Sequence, residues 1–71
     1  MKKVFINDEF ITLSQFLKME DFISSGGQAK FFLMEEEVYL NNELENRRGK
    51  KLYVNDIIKI DDQEFVIANE N

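Results

Sequence analysis

Ser25-Gly26-Gly27-Gln28-Ala29-Lys30-Phe31-Phe32-Leu33-Met34-Glu35-Glu36-Glu37-Val38-Tyr39-Leu40 contains the change of hydrophobic period that decides the fold. Ser25 with Gln28 three residues later has capping-box spacing, so a helix starts at the Gly26-Gly27 pair. Ala29, Phe32 and Leu33 fall on its inward face, with Lys30 on a flank. Glu35-Glu36-Glu37 reads as the solvated C-terminal end of that helix, where the dipole would rather have cations. From Val38 the period becomes two: Val38 and Leu40 point inward and Tyr39 outward. A helix followed at once by alternating strands is an α+β signal.

Upstream, Lys3-Val4-Phe5-Ile6 and Glu9-Phe10-Ile11 read as two short strands around an Asn7-Asp8 turn. Thr12 and Gln15 form another capping box, after which Leu13, Phe16 and Leu17 share one helical face. That helix should end near Glu20 or Asp21, with Phe22 and Ile23 folding back onto the core. Downstream, Asn41-Asn42 turns the chain into a return strand through Leu44, since asparagine tolerates the left-handed region. Leu52 and Val54 resume the apolar pattern. Asn55-Asp56 is a second turn, Ile57–Ile60 a strand, and Asp61-Asp62 a turn into Glu64–Ala68. The expected fold is two helices packed on a small, mainly antiparallel sheet with extra terminal strands, one domain across residues 1–71.

Composition narrows the function. The chain has 71 residues, 44% hydrophobic and 13% aromatic, enough for one small core and no second. It contains no cysteine and no histidine, which excludes disulfide staples and Cys/His zinc sites. Met1-Lys2-Lys3 is followed by only three apolar residues, too few for a signal-peptide core, and no stretch is long enough to span a membrane. A soluble, cytoplasmic protein with no membrane role is expected.

The formal net charge is −5, yet four of the five residues in Arg47-Arg48-Gly49-Lys50-Lys51 are cationic. Of nine cations, only five lysines remain elsewhere, against fourteen acids. An acidic chain with one dense cationic loop points to a local anion site. Arginine suits phosphate because its guanidinium is a planar fork of donors. The alternative reading is a solvated turn whose charges balance Glu43 and Glu45.

Catalysis finds little support. The usual general base and the strongest nucleophile are both missing. Consecutive acids such as Glu35–Glu37 diverge by roughly 100° per residue on a helix and do not converge on a metal. No cofactor and no small-molecule substrate is implied. At Ser25-Gly26-Gly27-Gln28, first-turn amides without helical partners can meet a phosphate that glycine lets approach closely. A tight corner that needs glycine for its backbone shape is the competing reading.

The combination of Ser25-Gly26-Gly27-Gln28-Ala29-Lys30, Val38-Tyr39-Leu40-Asn41-Asn42-Glu43 and Arg47-Arg48-Gly49-Lys50-Lys51-Leu52 resembles the S-four RNA-binding domain, or alpha-L RNA-binding motif. The resemblance covers about residues 10–60 and is of the short stand-alone bacterial YaaA/YbcJ type. It implies RNA-binding roles for Ser25, Gly26, Gly27, Gln28, Lys30, Arg47, Arg48, Lys50 and Lys51, with Lys18 at a family-like basic position as a further candidate. Strand alternation turns Tyr39 outward, which makes it a candidate for stacking on a base, with an exposed cross-strand tyrosine as the competing and favoured reading. The resemblance also implies a module without catalytic activity that binds structured RNA, ribosomal RNA in particular, during ribosome assembly or translation. The rival is a protein-interaction module whose acidic surface binds a basic partner such as a ribosomal protein. The chain departs from the family at Glu36, Asn42 and Asn55, where glycine is usual, and at Glu37, where a basic residue is common.

Overall fold

The computed structural model describes residues 1–70. The chain runs β1 (Lys2–Ile6), β2 (Phe10–Thr12), α1 (Leu13–Met19), a single 3₁₀ turn (Gly26–Gln28), α2 (Ala29–Glu35), β3 (Val38–Leu40), β4 (Glu43–Leu44), β5 (Lys51–Tyr53), β6 (Ile57–Ile60) and β7 (Gln63–Asn69). Five strands form one sheet in the order β1-β7-β6-β3-β4, and β2 pairs with β5 in a separate ribbon. All pairings are antiparallel except β1 with β7.

The N-terminal strands differ from expectation. Lys2–Ile6 and Phe10–Thr12 do not pair around Asn7-Asp8. β1 instead lies parallel to β7, with Val4 beside Ile67, and β2 lies against β5, with Ile11 beside Leu52. A two-residue turn says nothing about such distant partners. Val54 also departs from the inward pattern, because β5 ends at Tyr53 and Val54 enters the turn half-exposed.

Alternation sorts the large sheet into two faces. Val4, Ile6, Val38, Leu40, Ile58, Ile60, Phe65 and Ile67 are buried on one, while Phe5, Tyr39, Ile57 and Lys59 take the other. Both helices cover the buried face. The Phe65 ring meets Phe16 of α1 edge-on at 5.1 Å and Phe22 at 5.9 Å, and Phe22 meets Phe32 of α2 at 5.6 Å. Burying a side chain like Phe65 stabilises by roughly 1.5–3 kcal/mol.

Local chemistry sets the helix ends. The Thr12 hydroxyl accepts from the Gln15 backbone amide at 3.2 Å, and Gln15 Oε1 accepts from the Thr12 amide at 2.7 Å. At the other end Asp21 turns left-handed at φ 62°. There the Phe22 amide donates to the Leu17 carbonyl at 2.9 Å, and the Asp21 amide to the Lys18 carbonyl at 3.2 Å. These two bonds make the Schellman closure that folds Phe22 back onto the core.

Candidate nucleic-acid interface

The first turn of α1 is where the two candidate elements meet. The Leu13 amide donates to the Lys50 carbonyl at 2.8 Å, and the Ser14 amide donates to the Arg48 carbonyl at 2.9 Å. The basic loop thereby satisfies helix-start donors that would otherwise lack partners. On the same turn, Ser14 Oγ lies 3.6 Å from where a Cβ on Gly26 would stand. The helix start thus gathers the basic loop and the glycine corner, which are about twenty residues apart in sequence.

The corner is closed by Gln28, whose Oε1 accepts from the Ser24 amide (2.7 Å), the Ser24 hydroxyl (2.9 Å) and the Ser25 amide (3.3 Å). Ser25 is extended, and the two glycines open the 3₁₀ turn that leads into α2. None of the three glycines has positive φ, and a Cβ on Gly27 or Gly49 would meet nothing within 4 Å. Backbone shape therefore does not demand glycine at Gly27 or Gly49. What glycine leaves there is open room for a close approach.

In the first turn of α2, Lys30 shares an open cleft of about 570 Å³ with Leu33, Met34, Asn46 and Arg48. Cations from both elements thus face one groove. The loop cations themselves are unequal. Arg47 donates through Nε to Glu45 Oε2 at 2.9 Å, through Nη2 to Oε1 at 3.1 Å, and through its amide to Oε2 at 3.0 Å. Glu45 is only 8% exposed and was visible in sequence merely as a nearby acid. The Arg47 side-chain hydrogen bond is the main reason its carboxyl is held below the ordinary carboxylate value. Arg47's backbone bond and charge and the Lys50 charge add to this, and burial opposes it. The same pair holds the Arg47 guanidinium above its ordinary value. The charge-balancing reading of the loop is therefore right for Arg47. Among the described residues Arg48 and Lys50 form no ion pair. The Lys51 ammonium lies 4.7 Å from the Phe10 ring centroid.

Two candidates lie elsewhere. Lys18 lines a different cleft, with Phe5, Asp8, Gln15 and Glu70. Tyr39 lies on the outer sheet face between Leu44 and Lys59. Sequence reasoning passed over Tyr53, which lines two clefts beside the basic loop. The signal for it was present: Leu52 is inward, so Lys51 and Tyr53 must both face out.

The S4 domain family profile matches residues 4–68. The chain belongs to the S4 domain family. It is also 59% identical over 56 residues, 79% of each chain, to the Bacillus subtilis protein named "Probable ribosome maturation protein RlbA". No solved structure matches significantly. Glu36, at a glycine position of the family, is extended at φ −114°, so an ordinary residue fits without strain. Asn42 and Asn55 do adopt positive φ, 71° and 80°.

Proposed function

We propose that this S4 domain chain is a non-catalytic, cytoplasmic RNA-binding protein acting on ribosomal RNA during ribosome maturation. Family membership and the name of the Bacillus subtilis relative support the ribosomal setting. The observation that carries the RNA reading is the docking of the Arg48 and Lys50 carbonyls on α1 beside Gly26. That arrangement joins cations and a side-chain-free corner into one anion-binding surface on a chain of net charge −5. Arg48, Lys50 and Lys30 hold backbone phosphates, Lys51 adds a nearby charge, and the Gly26 and Gly27 amides face a phosphate at the corner. Arg47 stays on Glu45 and keeps its Nη1 donors for the RNA. Ser25 and Gln28 shape the corner. Contacts of this kind fix position and read the shape of folded RNA rather than its sequence.

The test is Lys30→Glu with Arg48→Glu, measured by fluorescence anisotropy on a folded ribosomal RNA fragment. Both changes fall on exposed side chains, so the fold should survive, as circular dichroism would verify. Affinity should drop more than tenfold by loss and reversal of two phosphate contacts. A folded double variant with parental affinity would remove the proposal.

A further inference from the structure

A surface made only of cations and bare amides does not account for Tyr53. In the β2–β5 ribbon Ile11 and Leu52 turn inward and are buried, which leaves Phe10, Tyr53 and Lys51 on the outer side. Phe10 and Tyr53 are cross-strand partners with ring centroids 5.8 Å apart, tilted by 50°. The Tyr53 amide donates to Asp56 Oδ2 at 2.7 Å, which fixes the backbone that carries the ring. The ring nonetheless belongs to a residue 43% exposed.

Its surroundings select the occupant. On one side Tyr53 shares a cleft of about 450 Å³ with Arg47, Gly49, Lys50 and Lys51. On the other it shares a cleft with Glu43, Glu45 and Asp56 as well as Arg47 and Lys50. The carboxylates disfavour an anion on the second side, so an anionic ligand belongs on the first. There the lining is cationic apart from Gly49, whose Cβ position is empty, and the aromatic ring is the one flat apolar surface. A flat π-face attached to a phosphate fits both features, and that is an unstacked nucleotide.

We infer that Tyr53 stacks on an unpaired base adjoining the RNA backbone held by the basic loop. The inference rests on the RNA-binding reading above and adds a requirement to it. Inside a continuous RNA helix every base face is covered by its stacked neighbours, so the paired interior of a target would leave Tyr53 idle. The preferred target contains a bulged or terminal unpaired nucleotide beside a helix.

Two probes separate the claims: a blunt RNA duplex, and the same duplex with one bulged uridine, both end-labelled and measured by anisotropy at low salt. The parent should bind the bulged duplex more tightly, by roughly five- to a hundredfold for one stacked base. Tyr53→Phe should keep that preference. Tyr53→Leu should lose it while binding the blunt duplex as the parent does, with an unchanged salt slope. Ultraviolet crosslinking of the unmutated protein should join the bulged uridine to the peptide containing Tyr53. A preference that survives Tyr53→Leu, or is absent from the parent, overturns the inference and leaves RNA binding standing. Equal weakening on both duplexes would make Tyr53 a support for the loop and also overturn it. A parent that binds neither duplex would bring down the RNA-binding reading and this inference together.

Discussion

Glu45 decides how the loop's charge is used. Its carboxylate is buried at the foot of the loop and takes three hydrogen bonds from Arg47, so one of four cations is fixed before any ligand arrives. This makes Arg47 a poor site for charge reversal, since a second carboxylate there would face a buried one. It also ties the loop to pH. Glu45 is held below its ordinary value of 4.5 in the fold, so the pair's contribution is fully present above that value. The contribution is lost as pH falls through the lower folded value. Glu45→Gln should therefore melt a few degrees below the parent at neutral pH, with the gap closing as pH falls below 4.5 and through the lower folded value. Calorimetric melts across that range check it. A gap that does not change with pH would mean the ionised pair is not the source.

The elements differ in how far they could be read ahead. The start of α1 was legible because a capping box is a local contract between residues three apart, as Thr12 with Gln15 shows; at Ser25 and Gln28 the same spacing opens a 3₁₀ turn instead, and α2 begins at Ala29. The asparagine turns were legible for the same reason: Asn41, Asn42 and Asn55 all take positive φ. The partners of β1 and β2 were not, since β7 and β5 are set by which edges remain open once the sheet is built. The pairing of Glu45 with the loop was within reach of the sequence, but its burial was not, because that depends on where the loop folds, which no local pattern encodes. Within the β3–β4 turn the two asparagines do different work. Asn41 Oδ1 accepts from the Ile57 amide at 2.9 Å, and its Nδ2 donates to Asp56 at 3.1 Å, whereas no such bond is seen for Asn42 among the described residues. Asn42→Gly should be neutral to slightly stabilising, within about 0.5 kcal/mol, because glycine suits a left-handed residue. Asn41→Gly should cost about 1 kcal/mol through its lost hydrogen bonds. Urea titrations of the two variants compare them directly, and equal costs would refute this division of labour.

At the scale of the whole molecule, charge is arranged against itself. The net charge of −5 opposes any polyanion at long range, while in the proposed RNA complex Lys30, Arg48, Lys50 and Lys51 attract it locally. With about three to five phosphate contacts, log affinity should fall against log salt with a slope of roughly −3 to −4.5. Glu36 and Glu37 are the acids whose removal tests the opposing field. They are exposed, follow the helix that carries Lys30, and show no ion pair among the described residues. Glu36 is extended rather than left-handed, so glycine there would add chain entropy without relieving strain. Glu36→Gln with Glu37→Lys is the cleaner change: it removes two negative charges, adds one positive, and leaves backbone freedom alone. Each charge at a partly screened surface is worth about 1 kcal/mol or less. Binding to folded ribosomal RNA should tighten by roughly three- to thirtyfold, more at low salt than at high. Anisotropy at two salt concentrations measures both the gain and its screening. Weaker binding would mean these acids touch a partner themselves, and a basic protein would then be the better candidate for that edge of the surface.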